Sequence, residues 1–263
     1  MILSHPDGRH GDPGSMILGM DAHELTLTAV VFALAGVVKG VTGMGLPTVA
    51  MGLLSLFLAP QVAAALLVLP SIATNIAQCV GPQALVLTRR LWPLWAGIAV
   101  GAGVSPLRVG DEGGGMRLVL GCVLMVYGAW GLLGARLPPP GRHERVWAVA
   151  TGGATGLLTV ATGVFVLPMV PFLQSLALAK DEMVQALGLT FTVCTAVLWM
   201  SLGPGAAGSA ASLPALVSLA AACAGLAAGA RVRRSLPVES FRRALFVMFV
   251  LMGAVTLGRG WWT

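Results

Sequence analysis

Gly36-Val37-Val38-Lys39-Gly40-Val41-Thr42-Gly43-Met44-Gly45-Leu46-Pro47 is the stretch on which the reading of this chain turns. It lies inside a run otherwise apolar enough for a bilayer. Four glycines, a proline and the one mid-run charge, Lys39, come together there. Glycine lowers helix stability and frees the backbone, and proline removes a ladder donor. In hydrocarbon, peptide groups released in this way are tolerated only against protein or a watery cavity. The pattern predicts a helix break over Gly40–Gly45 whose amides, with Lys39 beside them, bind something small and negative.

The rest of the chain fits a membrane setting. Of its 263 residues, 57% are hydrophobic and 10% charged, whereas a soluble domain carries roughly 25% charged residues. The fold class is therefore an all-α polytopic membrane protein, with about 8–10 helical segments at roughly 17–25 residues per span. Apolar runs between loop signals place segments near 22–38, 45–58, 62–80, 91–107, 116–135, 146–160, 163–178, 183–202, 212–230 and 241–258. Three of them, 45–58, 146–160 and 163–178, are short for a full crossing and read as half-helices or re-entrant pieces. Residues 1–20 are polar, lack an apolar core of signal-peptide type, and are expected to form a disordered or non-native tail.

The net charge of +6 does not point to nucleic acid, because the arginines sit in short loops between apolar runs. With the N-terminus outside, the inner side takes twelve of the sixteen basic residues, Arg89, Arg90, Arg142 and Arg145 among them. Only Arg9, Arg108, Arg117 and Arg259 fall outside, in agreement with the positive-inside rule. The basic connector 136–145 divides the chain into a first repeat, 21–135, and a second, 146–263, of five segments each. An odd number of segments per half forces opposite orientations, with 136–145 and the loop 231–243 both cytoplasmic. Each half also opens on an interrupted pattern: Gly36-x3-Gly40 with Thr42-Gly43, then Gly152-x3-Gly156 with Thr162-Gly163. Paired interruptions of this kind point to the binding site of a transporter with inverted-topology repeats and broken or re-entrant helices.

Candidate site residues follow from that frame. Lys39 at depth costs roughly 2.5–3.5 kcal/mol, a cost offset by a wet cavity or an anion; snorkelling to the inner face is the rival account. The amides at Gly43–Gly45 and Thr162–Val164 are expected to begin new half-helices, and Thr42 and Thr162 to add hydroxyl donors. Ser71, Thr74, Asn75 and Gln78 share one helical face, with Asn75 read as lining the path. In the second half Gln185, Thr190, Thr192 and Thr195 occupy the comparable region, where interhelical hydrogen bonding explains them equally well. Gly97-x3-Gly101 and Gly225-x3-Gly229 read as close helix contacts, and the four cysteines as small packing residues. Trp92, Trp95, Trp147, Trp261 and Trp262 read as interfacial anchors; Trp199 reads as core packing or, less simply, as cavity lining. The acids sit at segment ends and in loops, as do the histidines, so no buried carboxylate stands ready as a proton carrier. No HExxH, GxSxG or GxxxxGK[ST] motif is present, so the chain is read as not an enzyme, and no motif calls for a cofactor.

Val38-Lys39-Gly40-Val41-Thr42-Gly43-Met44-Gly45 resembles the Lys-Gly-x-Thr-Gly-x-Gly-like element of the TauE/SafE family, the sulfite exporter family of membrane permeases. Gly152–Gly163 resembles its weaker second-half counterpart, and Ala63–Asn75 its Ala-rich third segment with a central Pro and Asn. The chain departs from the pattern where Gly163 is followed by Val164-Phe165 instead of a glycine pair. The resemblance covers residues 22–258 and implies a permease for sulfite, a sulfonate or a related sulfur-containing organic anion in the bacterial inner membrane. The expected substrate-binding residues are Lys39, Gly40, Thr42, Gly43, Gly45, Asn75, Thr162, Gly163 and Thr192. An anion channel, or a permease for small carboxylates, is the alternative. The expected partners are the small anionic substrate and the lipid bilayer, with no nucleic acid and with a homodimer left open.

Overall fold

A computed structural model of the chain describes residues 13–109, 115–135, 137–203, 212–233 and 238–260. The described residues contain helices and no strand. A short helix α1 (Pro13–Leu18) precedes α2 (Ala22–Thr42), α3 (Leu46–Leu54), α4 (Pro60–Cys79), α5 (Ala84–Gly103) and α6 (Gly115–Leu133). A 3-10 turn (Gly141–His143) then leads into α7 (Glu144–Thr162), α8 (Met169–Ser175), α9 (Lys180–Ser201), α10 (Leu213–Val232) and α11 (Val238–Gly260). All ten apolar segments read from the sequence are present as helices. Helices α2, α4, α9, α10 and the Phe241–Gly258 part of α11 are long and apolar enough to cross a bilayer. The chain is a multi-pass membrane protein.

Helix starts follow local chemistry. Asp21 caps α2 by accepting the Glu24 N–H at 2.7 Å, while the Glu24 carboxylate accepts the Asp21 N–H at 3.3 Å. Proline stands in the first turn of α3, α4 and α10, where a missing N–H costs nothing. Helix α5 begins at Ala84, seven residues before the expected start, because Arg89 and Arg90 ride inside its first turns. Helix α7 reaches 19 residues, so the expected shortness of 146–160 is corrected; charged Glu144 and Arg145 and the polar Thr162 extend it beyond its apolar part. The tail expectation also changes. Residues 13–18 form a helix with Ile17 buried, and it packs on α4 and α10. Residues 1–12 lie outside the described residues, as do Asp111, Glu112, Arg136, Trp261 and Trp262.

The long helices associate in pairs: α2 on α10, α5 on α7, α6 on α11 and α4 on α9. Small residues set the closest of these contacts. Gly36 and Gly40 of α2 lie against the α10 backbone at Ala222 and Leu226, and Gly225 and Gly229 of α10 against Ala33 and Val37 of α2. The α5–α7 pair repeats the device, with Gly97 and Gly101 facing Val149 and Gly153, and Gly152 and Gly156 facing Leu94 and Ile98. Lipid is as apolar as leucine, so close van der Waals packing and hydrogen bonds, more than burial from water, hold such helices together. The α6–α11 pair is filled by the rings of Tyr127, Phe246 and Phe249, with centroids 5.5 Å and 5.6 Å from the tyrosine.

Besides α1, two helices within the bundle are too short to cross. At 1.5 Å per residue, α3 with 9 residues and α8 with 7 fall well below a hydrocarbon core of about 30 Å. Both are buried almost throughout, which is where interrupted backbone is tolerated in a bilayer. Large apolar side chains cover the outside instead, Val100, Leu133 and Met200 among them. Trp92 and Trp147 are 57% and 58% exposed, as anchors are, whereas Trp95 turns inward to donate to Thr190 Oγ1 at 3.1 Å. Trp199 lies on this outer face and not in the core, 43% exposed.

Candidate functional site

The site is built at the end of α2, where the chain leaves the helix. Gly43 takes the left-handed conformation (φ +82°), its N–H donating to the Lys39 carbonyl at 2.7 Å, and Gly45 takes it again at +96° before α3 begins. An L side chain disfavours that region, which is why the break needs glycine at both places. The Thr42 hydroxyl spans the gap. It lies 2.7 Å from the Met44 carbonyl and 2.9 Å from the Val38 carbonyl, both acceptors for its proton, and the Met44 N–H stands 3.3 Å from it.

Helix α7 ends in the same way. Gly163 (φ +70°) donates to the Thr159 carbonyl at 2.9 Å. The Thr162 hydroxyl donates to the Leu158 carbonyl at 2.7 Å and accepts the Val164 N–H at 3.1 Å. In both breaks a threonine satisfies the amide that the sequence suggested would be bare. Each hydroxyl has a backbone carbonyl within reach, Met44 and Val38 for Thr42 and Leu158 for Thr162, so neither threonine is left as a free donor. The breaks also differ from one another. Helix α3 starts directly after Gly45, but α8 starts only at Met169, after Pro168. The Thr162–Val164 amides therefore do not open a helix: the residue before a proline is held out of the α region.

Lys39 is 2% exposed and crosses to α4, donating to Thr74 Oγ1 at 3.0 Å and to Asn75 Oδ1. One turn further along the same α4 face, Gln78 Nε2 donates to the Gly43 carbonyl at 2.9 Å. The polar face of α4 is thus clamped onto both the cation and the break. Every partner Lys39 has here is neutral. Its ammonium carries three donors, of which two are used. Around it Asn75 Nδ2, Ser71 Oγ and Gln78 Oε1 are buried without a partner, as is Thr48 Oγ1 in the first turn of α3. A buried polar atom left unpaired costs about 1–3 kcal/mol, so the unpaired atoms on this face of α4 call for a partner.

The remaining expected residues distribute as follows. Gly40 faces α10, where its missing side chain serves helix approach. Thr192 donates to the Gly188 carbonyl at 2.8 Å and meets Cys79 Sγ at 3.5 Å across the α4–α9 crossing. Gln185 caps the end of α4 by donating to the Cys79 carbonyl at 2.8 Å. Lys39, Gly43 and Asn75 are brought together with Thr74, Ser71 and Gln78. Gly163 stands elsewhere, against Met51 of α3, whose side chain fills the space a Cβ would occupy. A Cβ on Gly43 would meet nothing within 4 Å, so the first break is open beside the glycine while the second is sealed. Met51 and Thr48 were not legible in the sequence: each is an ordinary residue of an apolar run, and its place depends on how α3 folds back.

The profile of a family described as Sulfite exporter TauE/SafE matches residues 28–256. That range takes in both breaks and every residue of the Lys39 cluster. Among curated proteins and among solved structures, nothing matches.

Proposed function

Because the chain belongs to the TauE/SafE family, a family of membrane transporters, we propose that it is a secondary permease moving a small anion, sulfite or an organic sulfonate, through the Lys39 cluster. The observation that carries this reading is a buried ammonium whose partners, Thr74 and Asn75, are both neutral. A charge at depth without a counter-charge is costly, and an anionic substrate supplies the missing charge. The third Lys39 proton, the Asn75 amide and the Ser71 hydroxyl are the donors available to it. A sulfite or sulfonate group presents several acceptor oxygens on one centre, which suits donors converging from two helices. Open space beside Gly43 supports an approach from that side.

The alternating-access part of the proposal rests on symmetry. Taking α2–α6 as one half and α7–α11 as the other, exchanging the halves turns the α2–α10 pair into α7–α5. The same exchange returns α4–α9 and α6–α11 to themselves. The Thr-Gly breaks at 42–43 and 162–163 exchange in the same way. Inverted repeats around a central pair of short helices account for all of these. With the N-terminus outside, the linker 136–145 and the basic α10–α11 junction within 231–243, whose ends lie in the two helices, face the cytoplasm of a bacterium whose inner membrane holds the protein.

The test is uptake into proteoliposomes. Labelled sulfite and a small sulfonate should accumulate with saturation and counterflow, which a channel does not give. Lys39→Ala should remove that uptake while leaving membrane insertion intact. Unchanged uptake by Lys39→Ala would take Lys39 out of the transport path and end the proposal.

A further inference from the structure

Two cavities flank the connector between the halves, and residues of α7 line both. The first, of about 450 Å³, lies between the start of α5 and the start of α7 and is lined by Arg89, Arg90, Arg142, Glu144 and Arg145. Arg90 is already committed: it binds the Glu144 carboxylate through two nitrogens at 2.7 and 2.9 Å and reaches the Leu176 carbonyl at 3.4 Å. Among the described residues that line the cleft Glu144 is the one carboxylate, and that clamp uses it; Glu182 acts on Arg90 from outside the lining. Among the described residues no carboxylate pairs with Arg89, Arg142 or Arg145, so three guanidinium groups share a concave site with their charge unmatched. The second cavity, of about 540 Å³, is apolar, walled by Pro138–Pro140, Trp147, Ala154 and Phe172.

Helical spacing joins them. Glu144, Trp147, Thr151 and Ala154 fall at steps of three and four residues on α7, so one stripe runs from the arginine cleft into the apolar groove. The end of α8 also touches both, with the Leu176 carbonyl on Arg90 and Ser175 in the groove wall. Trp147 in the groove wall and Trp92, next in the chain to Pro93 of the cleft, are both exposed, as indoles are where headgroups meet hydrocarbon.

We propose that this composite site binds one anionic glycerophospholipid of the surrounding bilayer, its phosphate among Arg89, Arg142 and Arg145 and an acyl chain along the Trp147–Ala154 stripe. Arginine is suited to the headgroup because its planar fork pairs with two phosphate oxygens at once. Basic pockets between membrane helices capture anionic headgroups by this chemistry. The apolar groove distinguishes a lipid from a free phosphate, which has nothing to place there. The bound lipid would brace the connector against α5 and α8, the parts that must shift if the two halves move. This site is independent of the Lys39 cluster, and its fate does not decide the transport reading.

The experiment uses delipidated full-length protein in neutral detergent, with binding read by native mass spectrometry and by the melting temperature. Phosphatidylglycerol should bind roughly a hundredfold more tightly than phosphatidylcholine of the same chain length, reflecting three guanidinium contacts, and should raise the melting temperature. The R89Q/R142Q/R145Q variant should bind the two lipids equally. Ala154→Trp, which fills the groove and leaves the arginines, should weaken phosphatidylglycerol while keeping the response to glycerol phosphate. Equal binding of the two lipids by the wild type would overturn the proposal. So would glycerol phosphate or inorganic phosphate binding as tightly as phosphatidylglycerol, since the ligand would then be soluble and the groove idle.

Discussion

The Lys39 ammonium donates to the Asn75 side-chain carbonyl across the contact between α2 and α4, and the Asn75 amide group on the far side of that bond has no partner. Asparagine is therefore held in one orientation, with its acceptor spent on the lysine and its two donors turned to whatever else enters. The pair is a buried cation on a neutral acceptor with an unpartnered donor beside it, which is what the proposed anion site requires.

Asn75→Asp tests that arrangement. A carboxylate at this place gives Lys39 an internal counter-ion, so the protein should stay folded while anion uptake falls by tenfold or more. Asn75→Leu should instead strip Lys39 of a partner and lower stability by about 1–3 kcal/mol. Uptake assays beside thermal unfolding separate the two. Wild-type uptake in Asn75→Asp would mean that the anion does not rely on an unmatched Lys39.

The two breaks predict different costs for the same substitution. Gly43→Ala meets no neighbour and should cost about 1–2 kcal/mol, the penalty for an L residue at positive φ. Gly163→Ala carries that penalty and also drives a methyl group to 2.8 Å from Met51 Cε, so it should cost more. Met51→Ala in the same chain should recover the steric part and leave the conformational part. Denaturant unfolding of the four proteins gives the coupling directly; additive losses would show that Met51 does not seal the second break.

What the sequence revealed, and what it hid, divides along physical lines. The ten helical segments were legible because apolar runs and their Gly, Pro and Arg punctuation are a strong signal. The first break was legible because two glycines with positive φ, Gly43 and Gly45, stand where a helix would otherwise run on. The partners of Lys39 were half visible: Thr74, Asn75 and Gln78 share a helical face, but nothing local says that this face meets α2. Inward and outward faces are hard to read in lipid, since both are apolar. That is why Trp95 and Trp199 were misplaced and why Met51 escaped notice. The short helix 13–18 was missed because its apolar part is only Met16-Ile17-Leu18, of which Ile17 alone is buried.

Glycines in α5 provide an internal control on helix approach. Gly101 abuts the α7 backbone at Gly153, whereas a Cβ on Gly103, two residues on, would meet nothing. Gly103→Ala should be neutral or stabilise by up to about 1 kcal/mol through helix propensity. Gly101→Ala should destabilise by at least about 1–3 kcal/mol, because two backbones must separate. Equal melting temperatures for the two variants would contradict the close α5–α7 contact.

The Arg90–Glu144 clamp gives a pH dependence with a definite sign. Its hydrogen bonds to Arg90 hold the Glu144 carboxyl below the usual carboxylate range, against a smaller opposing effect of partial burial. A depressed folded value means that the clamp stabilises fully above the unfolded carboxylate value, about 4.3, and that this stability is lost as pH falls through the lower folded value. Both side chains are about a third exposed, so solvent screening limits the contribution to less than about 1 kcal/mol. Melting curves between pH 3 and pH 7 should therefore show a small acid-side loss in the wild type that is reduced in Glu144→Gln. The same variant should leave anion uptake at neutral pH unchanged, because the clamp braces the connector and touches no substrate. An acid-side loss of equal size in Glu144→Gln would assign the effect to other carboxylates and leave the clamp without a measurable part in stability.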